Sequence, residues 1–235
     1  MYRVRNRGSE PGTFGNVPGF PFSFSLNPNN STHAIRAFSV TLIGAIVYDR
    51  IPSEMSQELE VLKIVAKRLQ EADIPYMVTG SVAASFYAIP RMTRDIDMVI
   101  AVESRDIDRL LALFKNDFYI DRDSITEAID QRGMFNLIHN ESIIKVDLIV
   151  RKDSPYRKTE FERRQKFPLK DFEIWIVRPE DLILSKLFWA KESLSEMQLG
   201  DVKNLLLSVK NLDTVYLRHW VESLHLQEIY EKVKP

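Results

Sequence analysis

Asp95 and Asp97 occupy alternate positions of the segment RMTRDIDMVIAV, and Asp147 lies inside a second apolar segment, IIKVDLIV. Residues i and i+2 of a strand project from one face, so Asp95 and Asp97 are predicted to point together. Asp147 shares its face with Lys145 and Ile149, and it completes a three-carboxylate cluster if the two strands are neighbours. Carboxylates are depleted from strands and rarely buried without a partner, so their presence in two apolar runs points to a site. Three convergent carboxylates make a hard-oxygen donor set suited to two magnesium ions. That arrangement clamps both ends of an in-line phosphoryl displacement.

The elements around these residues are legible from periodicity. SEMSQELEVLKIVAKRLQEAD carries one apolar stripe, Leu59, Leu62, Val65, Ala66 and Leu69, with Ser53 as a candidate N-cap and Pro75 closing the segment. PYMVTG reads as a short strand ending at Gly80, whose missing Cβ suits a tight strand-to-helix turn, and SVAASFYAI as a helix halted before Pro90. The strand IDMVIAV and an amphipathic helix from about Glu103 to Asn116 follow. GMFNLIH and SIIKVDLIV flank a turn-like His139-Asn140-Glu141-Ser142 and are predicted to pair as a hairpin. A last strand, FEIWIV, leads to Pro179 at a helix start, and the pattern is helical from there to Val233.

The composition is that of an ordinary globular protein, 45% hydrophobic and 28% charged, and 235 residues suffice for a sizeable core with an appended subdomain. The absence of cysteine removes disulfides and thiolate sites, and the four histidines show no ligand spacing, so zinc chemistry is excluded. The net charge of −1 offers no global field for nucleic acid. A local basic run does occur in VRKDSPYRKTEFERRQK, where Arg151, Lys152, Arg157, Lys158, Arg163, Arg164 and Lys166 outnumber Asp153, Glu160 and Glu162. It reads either as a patch for a tRNA-sized partner or as a solvated helix face.

Residues 1–54 lack a sustained helical or strand period; up to about Asn30 they are rich in Gly, Pro, Asn and Ser, with Phe14, Phe20, Phe22 and Phe24 interleaved. The apolar run AIRAFSVTLIGAIVY is too short to span a bilayer and carries Arg36. The expectation is that this stretch is upstream sequence outside the core, the alternative being a membrane-surface or partner-binding arm. Three regions follow: an irregular extension over 1–54, a core over 55–177 and a C-terminal helical subdomain over 178–235.

The ordered set Gly80, Ser81, Arg91, Thr93, Asp95 and Asp97, then Lys145 and Asp147, then Arg178, Glu180, Asp181 and Lys186, resembles the motifs of the polymerase-β-type nucleotidyltransferase superfamily. The similarity is greatest to AbiEii-like and related bacterial nucleotidyltransferases, and it runs from about Met55 to the C-terminus. It implies an α+β fold with a mixed β-sheet flanked by helices. It also implies transfer of a nucleoside monophosphate from an NTP to an acceptor hydroxyl. By resemblance Asp95, Asp97 and Asp147 are the catalytic and metal-binding residues, with Mg2+, two ions, as cofactor. Gly80, Ser81, Arg91, Thr93 and Lys186 are the nucleotide-binding residues, and Arg94 is a further candidate cation for the triphosphate. Two departures stand out. Val82, Ala83 and Ala84 replace a basic residue that better-known members carry after Gly-Ser, and a closing Asp-x-x-Asp reads Asp201 to Asn204 here.

The resemblance leaves the acceptor open. One reading is a cytoplasmic toxin of a toxin–antitoxin pair acting on tRNA, with an antitoxin protein as partner and no membrane association. A second is modification of a small molecule such as an antibiotic, for which Asp117, Asp121, Asp123, Glu127 and Asp130 would offer acidic contacts to an aminoglycoside. A third is a non-catalytic nucleotide-binding relative.

Overall fold

The apolar stripe of the first helix sets the first layer. In α1 (Ser56–Glu71) Leu59, Leu62, Val65, Ala66 and Leu69 are all buried against the sheet. The structure, a computed structural model, describes residues 56–169, 171–193 and 195–234, so the expectations for residues 1–54 lie outside it. Arg68 on the same helix reaches across to Asp117, with its two terminal nitrogens 2.7 and 2.6 Å from the two carboxylate oxygens.

Seven strands form one mixed sheet. In chain order they are β1 (Tyr76–Val78), β2 (Asp95–Ile100), β3 (Phe118–Tyr119), β4 (Met134–His139), β5 (Lys145–Val150), β6 (Gln165–Leu169) and β7 (Phe172–Ile176). In space they run β3-β4-β5-β2-β1-β7-β6. The pairs β2–β5 and β1–β7 are parallel and the others antiparallel. The predicted hairpin is β4–β5, closed by Ile143 N–H donating to the His139 carbonyl at 2.8 Å.

Alternation along β2 and β5 divides their residues between two faces. Ile96, Met98, Ile100, Val146, Leu148 and Val150 are fully buried on one face. Asp95, Asp97, Lys145 and Asp147 take the other. Helix α2 (Gly80–Tyr87) follows β1, and α3 (Ile107–Phe114) follows β2 after a 3-10 turn. The C-terminal helices are α6 (Pro179–Ser193), α7 (Glu196–Ser208), α8 (Thr214–Ser223) and α9 (Gln227–Glu231). One cluster of buried apolar side chains runs from Leu59 through the sheet to Val233, so these helices share the sheet's core.

Two elements depart from the sequence reading. The acidic run from Asp117 to Asp130, considered above only as contacts for an aminoglycoside, contains α4 (Arg122–Gln131). Asp121 caps that helix through Ser124 N–H at 2.8 Å, and Ile125, Ala128 and Ile129 are buried. The basic run, read as a patch or a helix face, splits into α5 (Pro155–Glu162) and the edge strand β6. Pro168 is tolerated in β6 because an edge strand need not donate on its outer side.

Candidate active site

Asp97 on β2 lies directly opposite Asp147 on β5, and Asp95 lies opposite Lys145. Parallel strands in register present opposed residues on one face, so the acidic side chains meet above the sheet. Asn136 on β4 lies opposite Asp147 in turn, which makes Asn136, Asp147 and Asp97 one row across three strands. The Asn136 amide donates to Asp147 Oδ1, and Lys145 Nζ is 3.1 Å from Asp147 Oδ2 and 3.7 Å from Asp95.

The turn after β1 closes over this row. Thr79 N–H donates to the Asp97 carbonyl at 2.9 Å, and Gly80 adopts φ +65°. A Cβ built at Gly80 would stand 1.9 Å from Asp97 Oδ2, so only glycine allows the helix start to lie on that carboxylate. Ser81 follows in the first turn of α2 and accepts a hydrogen bond from Arg91 at its hydroxyl.

Burial, and then the like charge of Asp147, push the Asp97 carboxyl up to about 6. Lys186 pulls in the opposite direction. Asp147 holds the Lys145 ammonium above its usual value, chiefly through their hydrogen bond. Among the described residues no three His, Asp or Glu side chains stand ready as a metal-ligand set, and the Lys145 ammonium lies between Asp95 and Asp147. The donors themselves are carboxylate oxygens. The opposed Asp97–Asp147 pair is an anionic repulsion that a hard divalent cation would relieve, so the residues fit magnesium.

The nucleotide-binding candidates divide in two. Arg91 is committed internally, with Nε 3.0 Å and Nη2 3.1 Å from the two Asp201 oxygens. Lys186 is buried, with Nζ 2.7 Å from Asp201 Oδ2 and 3.0 Å from Gln198 Oε1. Burial lowers the Lys186 ammonium. Burial also favours a neutral Asp201, but the hydrogen bonds from Arg91 and Lys186 outweigh it and hold that carboxyl below its usual value. Thr93 lies on the approach to β2, its hydroxyl 3.4 Å from the Asp95 carbonyl. Arg94 is exposed and has no ion pair among the described residues.

Asp201 and Asn136 are the residues that sequence reasoning missed. Asp201 opens the motif that departs from the family pattern at Asn204, yet its carboxylate joins Arg91 of the β2 approach to Lys186 of α6. Asn136 carries no sequence signal beyond an amide inside an apolar strand. Glu180 and Asp181 face elsewhere. Asp181 is fully buried and accepts from Arg163 Nε at 3.0 Å and from the Tyr216 hydroxyl at 2.5 Å, while Glu180 accepts from Asp213 N–H at 2.9 Å.

Much of the basic run is likewise consumed. Arg157 pairs with Glu160 at 2.8 Å, Arg163 with Asp181, and Arg164 lies 4.2 Å from the Phe161 ring centroid.

A carboxylate pair on adjoining parallel strands, roofed by a glycine turn at a helix start, is the grouping that the motif resemblance predicts. Residues 54–233 match the family described as "Nucleotidyltransferase of unknown function (DUF6036)", and the chain belongs to that family. It is therefore a nucleotidyltransferase. No curated protein matches it. Among solved structures it is similar to an antigenic nucleotidyltransferase-like protein from Paracoccidioides brasiliensis, at 19% identity and TM-score 0.49, covering 76% of this chain and 94% of the other. It is also similar to the antibiotic-resistance factor ANT(2'')-Ia, at 10% identity and TM-score 0.48, covering 75% and 97%. A third similar structure is the lincosamide antibiotic adenylyltransferase LnuA, at 14% identity and TM-score 0.41, covering 66% and 95%. No helix among the described residues is long and apolar enough to cross a membrane.

Proposed function

We propose that the protein transfers a nucleoside monophosphate from an NTP to a hydroxyl at the 3′ end of an RNA, with magnesium as cofactor. The observation that carries the transfer chemistry is the Asp97–Asp147 register beside the Gly80-Ser81 turn. The acceptor oxygen forms a bond to the α-phosphorus, the bond to the β-phosphate bridge breaks, and pyrophosphate leaves. A carboxylate oxygen of Asp147 takes the hydroxyl proton, its orientation fixed by Asn136 and Lys145. Gly80 admits the phosphates close to the backbone, Ser81 offers donors at the start of α2, and the exposed Arg94 is a candidate cation for the triphosphate. Asp95, Asp97 and Asp147 would hold magnesium, which when bound supplies charge neutralisation at the reacting phosphate.

Two observations favour RNA over a cationic drug as acceptor. Asp117 is paired with Arg68 and Asp121 caps a helix, so both are already engaged within the fold. Asp153 is a single carboxylate shared by Arg132, Arg151 and Lys158, at 3.0, 3.8 and 3.9 Å, which leaves a cationic surplus. Arg151 follows Asp147 by four residues on the same strand line, roughly 13 Å away at the usual rise.

The test is incubation with each α-labelled NTP, magnesium and either total tRNA or a panel of aminoglycosides and lincosamides. Label in RNA that is lost in Asp97→Asn supports the reading; label only in a drug overturns its acceptor. Toxicity is a separate part of the proposal and rests on the sequence resemblance. Growth arrest on expression, absent in Asp97→Asn, is the outcome expected of a toxin.

A further inference from the structure

We propose that Asn136 is a positioning residue of this nucleotidyltransferase, fixing the Asp147 carboxylate for cation binding by donating its side-chain amide to Oδ1. The inference rests on the site reading above, but the residue belongs to none of the motifs that led to that reading.

The asymmetry between the two opposed acids is the motive. Asp147 is gripped at both oxygens, by Asn136 at Oδ1 and by Lys145 at Oδ2. Among the described residues no side chain donates a hydrogen bond to the Asp97 carboxylate, which lies where a Cβ on Gly80 would stand. One acid is therefore oriented in advance, and the other is left open to a cation.

Asn136 can play this part because of register. It sits directly across from Asp147 on the antiparallel neighbour β4, and cross-strand partners on one face stand about 5 Å apart at Cβ. An asparagine spans that gap with one short branch. An alanine leaves it empty, and an aspartate offers no N–H and adds a like charge.

A structural explanation accounts for the residue poorly. Asn136 is exposed in a strand whose alternate residues, Phe135 and Leu137, do the core packing. An exposed asparagine in a strand is intrinsically unfavourable, so it contributes little to stability. Its amide nonetheless donates to the buried acid. Groups that orient a metal-binding carboxylate behave in this way, and their loss typically costs 10–100-fold in metal affinity or activity.

The experiment is calorimetric titration of Mn2+ alone, as a magnesium surrogate, into the full chain and into Asn136→Leu, Asn136→His and Asp97→Asn, with melting temperatures measured in parallel. Leu keeps the volume without a donor; His returns a ring N–H near the original position. We expect Asn136→Leu to weaken Mn2+ binding by about tenfold or more and Asn136→His by clearly less, both melting like the parent. If Asn136→Leu binds Mn2+ as the parent does, while Asp97→Asn does not bind, the role of Asn136 is overturned and the site reading stands. If the parent itself shows no Asp97-dependent Mn2+ binding, the site reading falls and the inference with it. A shared fall in melting temperature for both Asn136 variants would assign the residue to packing instead.

Discussion

Gly80 and Asp97 lie so close that a single added carbon at Gly80 would overlap the carboxylate, with the built Cβ 1.9 Å from Asp97 Oδ2. Gly80 opens α2 and Asp97 lies in β2, and the Thr79 N–H to Asp97 carbonyl bond holds the two segments together. The proposed phosphate-binding turn and the proposed metal-binding acid are thus joined directly.

Gly80→Ala should break that connection in two ways. A left-handed φ costs a residue with a Cβ ~1–2 kcal/mol, and the Asp97 side chain must also swing away. We expect a folded protein, destabilised by at least that amount in urea, with Mn2+ binding lost. Unchanged Mn2+ binding would show that the close approach has no functional weight.

Asp97→Asn should lower nucleotidyl transfer by ~100-fold or more, as removal of transition-state charge stabilisation usually does. It should also stabilise the metal-free protein at neutral pH. The folded carboxyl is raised to about 6 from 3.8, so between those values the folded state holds the extra proton. The Asp97 contribution to stability is then full below about pH 4 and is lost as pH rises through about 6. The variant should melt higher than the parent at pH 7, by ~2–4 °C for each kcal/mol recovered, and should match it at pH 4. Equal melting at pH 7 would contradict the burial and repulsion assigned to this acid.

Arg94 and Arg91 should separate by phenotype. Arg94 has no ion-pair partner among the described residues, so Arg94→Ala should raise KM for the NTP by about tenfold with little change in melting. Arg91 ties Ser81 to Asp201, so Arg91→Ala should lower the melting temperature and kcat together. Steady-state kinetics beside thermal melts distinguishes them, and the reverse pattern would mean that Arg91 is the direct phosphate contact.

Removing one member of the Lys186–Asp201 pair strands a buried charge. Asp201→Ala should destabilise by ~3–5 kcal/mol, the usual cost of breaking a buried ion pair from one side. Lys186→Met combined with Asp201→Leu should recover part of this, apart from the share due to Arg91. A double-mutant cycle in urea measures it, and additive losses would show that the two side chains are not coupled.

The sequence by itself determined the acidic strand, the glycine turn, the β4–β5 hairpin and the α1 stripe. Each depends on a local period or on the backbone freedom of one residue, and local signals survive in a linear chain. It also placed Asp147 in a strand of the right face, because alternation fixes faces without any knowledge of neighbours. Which strand lay beside which was decided only in three dimensions. The parallel β2–β5 pairing joins segments roughly fifty residues apart, and nothing local encodes the register that sets Asp97 against Asp147. The same holds for Asp201, whose partners Arg91 and Lys186 come from two other elements, and for Asn136, whose only distinction is the residue opposite it. The basic run misled for a related reason: composition counts charges, but only packing shows that Arg157 and Arg163 are already neutralised by buried acids.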